Sequence, residues 1–328
     1  MVQRRAAWRA HARLNRLFLS AALALLMQVA AARAGYPDHP VTVVVPFPPG
    51  GSVDLVGRAM QPGFSAALGT GVVIVNQPGA GGTIGTARGA AARPDGYVLT
   101  LTTVGPLTTQ PHFMKLAYGP DSFAPVCRTH VTPQVLVVRA DAPFHTLGEF
   151  VDYARGHRGA VSLASTGTGS VPHLATIEIG RAAGFEWLHV PHNGDGGALQ
   201  LTLSGVITGW VAGVQTYAAN AGSLRALGLL EAERLPDLPD VPTFREQGFD
   251  VVSMGWGGLL APKGTPPEVL ARLQDACAKA VNSPEMNRML EHLQTPQGYL
   301  PAREFEAFVQ TEYDRYGALI GATDLRAQ

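Results

Sequence analysis

The chain has 328 residues, 25 basic and 25 acidic side chains, 46% hydrophobic residues and two cysteines. That length suits two domains of ordinary size, and the cysteine count excludes a disulfide-stapled scaffold or a zinc site built on cysteine alone. The charge is uneven: Arg4, Arg5, Arg9, Arg13, Arg16 and Arg33 precede residue 35 and no acid does, which leaves the remainder with a net charge of about −6 and no basic run to meet nucleic acid.

Behind those arginines, Leu17 to Ala32 is an apolar run, and Ala32-Arg33-Ala34 places small residues at the −3 and −1 positions. Residues 1–34 therefore read as a secretory signal peptide cut near Ala34. The run is short for a membrane span, and no later stretch reaches the roughly 18 apolar residues a span needs. Cys127 and Cys277 lie far apart in sequence, and an exported chain can join them or leave them free.

Val41–Val45 is a continuous apolar run, as in a strand buried on both faces. From Ser52, a plausible N-cap, Val53, Val56, Met60 and Phe64 recur at helical spacing, and Pro62 is expected to kink or end that helix. Val72–Val75 is the next strand. A glycine-rich loop, NQPGAGGTIG, leads to a short helix, and strand Tyr97–Thr103 follows the turn RPDG. Val135–Arg139 reads as a strand, and Thr146 with Glu149 forms a capping box for the helix after it. Strand Val161–Ser165 enters a second glycine-rich turn, STGTGSVPH. Strands at Trp187–Val190, Val206–Val211 and Leu224–Leu230 continue the alternation. Thr243 and Glu246 make another capping box, strand Val251–Leu260 follows, and long helices are expected from Thr265 and over Arg303–Ile320. The rhythm implies an α/β fold of mainly parallel sheets covered by helices.

Two strand-to-helix turns each contain Gly-Ser-Val, at Gly51-Ser52-Val53 and Gly169-Ser170-Val171. A helix start offers unpaired N–H groups and the positive end of the dipole, and glycine lets a ligand approach the backbone. Facing each other across a cleft, the two turns would form an anion pincer. Nucleotide motifs fail: no GxxxxGK is present, and Gly79-Ala80-Gly81-Gly82-Thr83-Ile84 lacks the last glycine of GxGxxG, so no cofactor is expected. Catalytic motifs fail too, because there is no GxSxG and Ser170 beside His173 is not a triad. His189 and His192 would point to opposite faces of a strand, so no metal is expected.

The stretches VPFPPGGSVDLVGR, NQPGAGGTIGTARGAAARPDGY, STGTGSVPHL, LPDVPTFREQGF and WGGLLAPKGTP together resemble, in order and over the whole mature chain, the substrate-binding receptors of tripartite tricarboxylate transporters, the Bug family. The resemblance implies a two-lobed periplasmic-binding-protein fold of type II-like organisation with a hinge. Lobe 1 would comprise 35–138 and 251–328, and lobe 2 would comprise 139–250, with hinge strands near Val135–Arg139 and Val251–Trp256. It implies a small organic carboxylate in the cleft, held by Phe47, Gly50, Gly51, Ser52, Ser165, Thr166, Gly169, Ser170, His192 and Asn193. Asp54, Arg58 and His173 would support the turns, Asp54 and Arg58 as an ion pair at helical spacing. Where family members commonly carry Tyr and a basic residue this chain has His192-Asn193-Gly194, and where they carry an acid it has Thr208.

The function implied is a non-catalytic, monomeric receptor in the periplasm that hands its ligand to integral membrane transporter subunits. A sensor that presents the ligand to a membrane signalling partner would share the fold. A secreted serine hydrolase using Ser170 is the reading from another class, and the missing nucleophile elbow argues against it.

Overall fold

The computed structural model describes residues 35–165, 167–192, 195–293 and 295–323. The expected signal peptide with its cleavage site, and the site candidates Thr166 and Asn193, lie outside the described residues. The fold described is that of the unit Pro40–Gln328.

Its first sheet begins with β1 (Val41–Val45), which pairs in parallel with β2 (Val72–Asn76) and β3 (Val98–Thr103). Val41, Val43, Val44 and Val45 are fully buried, which is why this strand carries apolar residues at every position but Thr42 rather than alternating. Helix α1 (Ser52–Leu68) buries Val53, Val56, Met60, Phe64 and Leu68 and ends at Gly69 in the left-handed region. Its cap is Gly51 rather than Ser52, and it runs through Pro62 without ending. Pro62 is exposed on the outer side, so the apolar face on either side of it stays packed and holds the turn whose hydrogen bond is lost. Helix α2 (Thr83–Ala90) joins β2 to β3, and a π-helical turn, Gly105–Thr109, runs into the short α3 (Gln110–Phe113).

A strand that the sequence pattern hides, β4 (Phe123–Thr132), completes the outward path, and only Pro133 separates it from β5 (Gln134–Arg139). β4 belongs to the first sheet and β5 to the second. The chain thus crosses at Pro133, not after residue 138, because Val135–Val138 pair on both sides within the second sheet. There, α4 (Leu147–Gly156), β6 (Ser162–Ser165), α5 (Val171–Ala183), β7 (Leu188–Pro191), α6 (Asp195–Leu203), β8 (Gly209–Gly213), α7 (Val214–Ala218) and β9 (Leu224–Leu229) follow in turn. The chain returns through β10 (Gly255–Pro262), then α8 (Pro267–Val281), α9 (Pro284–His292), β11 (Gln297–Pro301) and α10 (Ala302–Gly321).

The sheet orders are β11-β4-β10-β3-β1-β2 and β7-β6-β8-β5-β9. Both are mixed, not mainly parallel. Parallel pairing is confined to β1 with its two neighbours and β6 with its two neighbours, where helices make the crossovers. β5 and β10 each enter from the other sheet without a crossover helix and run against both neighbours.

Helix α5 is buried on two sides. Ala175, Ile179 and Ala183 join the core of the second lobe, while Val171, Leu174 and Ile177 join a cluster with Leu107, Trp256, Phe305 and Tyr316 of the first. Leu174 alone, fully buried, contributes about 2 kcal/mol by the usual scale for such side chains. Arg315 of α10 pairs with Glu178 of α5 across the same seam. Cys127 of β4 and Cys277 of α8 form a disulfide, which closes the alternative the sequence leaves open.

Candidate functional site

The turn between β1 and α1 is braced from below. Asp54 is 1% exposed. Its Oδ2 accepts from the Gly50 amide at 2.8 Å and from Arg58 Nε at 2.9 Å, and its Oδ1 accepts from Asn76 Nδ2 at 2.9 Å. Asn76 Nδ2 also donates to the Phe47 carbonyl at 3.1 Å. Burial alone would raise the Asp54 pKa, but the hydrogen bonds from Arg58, Gly50 and Asn76, with the Arg58 charge, outweigh it and hold the carboxyl below its ordinary range. Asp54 and Arg58 are thus structural braces. Gly50 takes φ +81, where glycine is favoured, and its N–H is spent on Asp54. Gly51 has ordinary extended dihedrals, φ −73 and ψ 162. The amides of Ser52, Val53 and Asp54 head α1, and among the described residues they have no acceptor.

The second turn is knotted more tightly. Ser165 Oγ lies 2.7 Å from His189 Nε2 and accepts from the Gly167 amide at 3.2 Å. The Gly169 amide donates to His173 Nδ1 at 3.0 Å, and the Ser170 amide donates to the Gly167 carbonyl. Ser170 Oγ caps α5 by accepting from the His173 amide at 3.4 Å. The His173 and His189 rings stack 3.7 Å apart. Ser165 and Gly169 therefore direct their polar groups into the turn. Among the described residues of this turn, the polar groups not used within it are the exposed Thr168, the Ser170 hydroxyl proton and the Val171 amide. Substituting Ser170 with alanine is expected to cost about 1 kcal/mol of stability through the lost cap, read as a lower urea midpoint.

Contacts through the first lobe connect the turns. A Cβ at Gly82 would press on Phe47 and Pro106, and one at Gly169 would collide with the Phe113 ring. Phe47 and the second turn therefore flank the same Gly105–Phe113 segment. His192 stands at the end of β7, where its amide donates to the Ser165 carbonyl at 2.7 Å and its ring covers Gly197.

A cavity of about 290 Å³ opens beside Ser52, lined by Val56 of α1, His130 and Thr132 of β4, Gln215 of α7, and His292, Leu293 and Thr295. A larger groove of about 580 Å³ lies next to it, where Asp237 and Glu291 and, among the described residues, no cation form the lining, which disfavours an anion. Residues 56–325 match the profile described as tripartite tricarboxylate transporter family receptor. The chain belongs to that receptor family.

The receptor is 36% identical over 293 residues to a Pseudomonas sp. (strain P51) protein described as the UPF0065 protein in the tcbD-tcbE intergenic region, covering 86% of this chain and 87% of the relative. Among solved structures, a TctC solute binding protein from Polaromonas superposes with TM-score 0.81 at 31% identity, covering 88% of this chain and 100% of that one. MatC from Rhodopseudomonas palustris, solved with bound malate, superposes at 0.70 with 32% identity, covering 87% and 100%. The fold is the two-lobed α/β fold of periplasmic binding proteins. Among the described residues of the receptor, no helix is long and apolar enough to cross a membrane.

The sequence marked both glycine turns but gave no reading of His130, Thr132, Gln215 or Thr168 around them, and it weighed His189 only as half of a metal pair. The only sequence signal for Gln215 was a third glycine, Gly213, at a strand end. A single histidine inside a strand gave none for His130.

Proposed function

We propose that this receptor captures a small organic carboxylate between its lobes in the periplasm and delivers it, without catalysis, to integral membrane transporter subunits. In this reading it acts as a single chain, with lobes meeting near Pro133 and Met254. The carrying observation is the set of Ser52, Val53 and Asp54 amides, without an acceptor among the described residues, at the start of a 17-residue helix beside a cavity. Backbone donors and the helix dipole suit a carboxylate, and among the described lining residues no lysine or arginine competes for it. The malate bound by MatC is an acid of this class. Non-catalytic action fits the serines: Ser170 Oγ is a helix cap, and Ser165 is 1% exposed.

The test is thermal unfolding against mono-, di- and tricarboxylates, combined with Gly51→Val. A true ligand at 100 times its Kd stabilises by about 2.7 kcal/mol. Gly51 has an ordinary φ and only the Pro48 carbonyl near its missing Cβ, at 3.4 Å. The variant should therefore melt like the wild type without ligand, while binding weakens roughly tenfold, the scale of a lost charged hydrogen bond. Failure of every acid to raise the melting temperature would overturn the reading. Full affinity in a well-folded Gly51→Val protein would remove this turn from the site.

A further inference from the structure

The groove of about 580 Å³ next to the Ser52 cavity has the wrong charge for the carboxylate and needs another occupant. Its walls come from both lobes: α7 and residues 237–238 from the second, α9 and residues 295–297 from the first. Part of the lining is apolar, with Val214 and Leu290 buried, Leu238 half-buried and Pro296 exposed. Asp237 on one wall and Glu291 on the other are exposed carboxylates. Among the described residues neither has an ion-pair partner, which is not the habit of this surface. On α4, α8 and α9, exposed acids are laced to a base one turn away, as Asp152–Arg155, Asp275–Lys279 and Glu285–Arg288. The bases nearest in sequence to the groove acids are already spent. Arg234 gives Nε to both oxygens of Glu246 at 2.9 Å and donates to the Pro239 carbonyl, and Arg288 holds Glu285 at 3.0 Å. Glu233 and Asp240, exposed on the same segment as Asp237, add to the negative field.

The occupant follows from charge and area. Each exposed carboxylate offers a small free cation at most about 1 kcal/mol in water, so affinity must come from covering the apolar lining as well. A chain segment with basic side chains and apolar residues between them does both. A second copy of the receptor fits poorly, since the chain beyond residue 34 carries a net charge of about −6. We propose that this groove seats a basic, apolar-spaced segment on the periplasmic face of the membrane partner, with Asp237 and Glu291 each meeting one of its cations. This rests on the receptor reading above and names the surface by which delivery begins. Because the two acids belong to different lobes, such a segment reads both lobes at once. Contacts of this kind form fast and are weakened by salt, which suits a carrier that must dock and leave.

The experiment is fluorescence anisotropy of a labelled probe peptide, Gly-Leu-Arg-Leu-Pro-Leu-Arg-Gly, against the full receptor at low salt. The Asp237→Asn, Glu291→Gln double variant should bind it about tenfold more weakly, the sum of two exposed ion pairs. A control double variant, Asp152→Asn with Glu186→Gln, removes the same charge from residues that do not line the groove and should bind as the wild type does. A peptide with serine for leucine keeps the charges and should also bind more weakly. Equal binding by wild type and groove variant would overturn the proposal, and so would an equal loss in the control, which would show attraction to net charge alone. Spermidine that displaces the peptide at equal concentration would assign the groove to a free cation and overturn it. Self-association of the wild type in sedimentation, lost in the groove variant, would assign it to a second copy and overturn it. Carboxylate binding measured by calorimetry should be the same in both double variants and the wild type. Its absence from all three would overturn the receptor reading, whereas loss of peptide binding with it intact overturns only the docking surface.

Discussion

Replacing Cys127 and Cys277 together by alanine is expected to lower the free energy of unfolding by about 2–5 kcal/mol. The disulfide joins β4 to α8 over a sequence separation of 150 residues. Cross-linking a loop of that length removes chain entropy from the unfolded state worth about 5 kcal/mol in the loop-closure treatment, and native bridges deliver part of that. The closed loop contains β5 to β9, the entire second sheet. The bridge therefore ties both ends of the inserted lobe to the first lobe's core, where both cysteines are fully buried. Without it the unfolded chain expands, so the denaturant slope should rise as the midpoint falls. Alanine at both positions avoids leaving a reactive thiol. Urea unfolding followed by tryptophan fluorescence reads both quantities, and a double variant with the wild-type midpoint and slope would refute a stabilising role.

The regular elements of this receptor were legible where one face dominates. Val41–Val45 has partners on both sides and reads as an apolar run broken only by Thr42; α1 shows its buried stripe at helical spacing. β4 was not legible because its pairing with β10 shifts register twice, between Gly257 and Gly258 and between Leu259 and Leu260, which breaks the two-residue alternation. Local chemistry was read correctly more often than its consequence. Thr146 caps α4 and accepts from the Glu149 amide as expected. Thr243 and Glu246 make fully reciprocal bonds, whereas Glu149 accepts from the His145 amide instead, yet the Thr243 segment closes as turns with no helix. The difference is tertiary: Phe244 and Val251 are drawn into the second lobe's core within a few residues of each other. At the site, glycine spacing located the turns. It did not show which amides stay free, because that depends on Asp54 and His173 reaching back beneath the chain.

Lowering the pH from 7 to 4 is expected to cost the receptor about 3 kcal/mol of stability, as the net of three buried groups. His130 and His173 both have pKa values pushed down to about 4. For His130 the causes are burial and then the Arg128 charge; for His173 they are burial and then His189, whose ring stacks on it. His173 has a further reason to stay neutral, since Nδ1 accepts the Gly169 amide and a proton there would set two donors face to face. The unfolded chain takes up these protons near pH 6.5. The stability from each neutral ring is therefore full above 6.5 and is lost as the pH falls towards 4, about 3 kcal/mol per ring. Glu231 runs the other way. Burial raises its carboxyl to about 7, against the pull of the Gln134 amide and Arg128. The folded state then holds a proton that the unfolded chain releases near 4.5, so its contribution is full below 4.5, is lost as the pH rises to 7, and offsets about one of the two rings. Three variants separate these terms in urea unfolding at pH 7, 6, 5 and 4.5. His173→Gln and His130→Gln should each flatten the profile, because one ring then remains against Glu231. Glu231→Gln should steepen it, because both rings then act unopposed. A wild type as stable at pH 4.5 as at 7, or a His173→Gln variant with the wild-type slope, would show that these imidazoles are not held neutral by the fold. The same proton that destabilises His173 releases the Gly169 amide, so acid weakens the second turn where its internal hydrogen bonds meet.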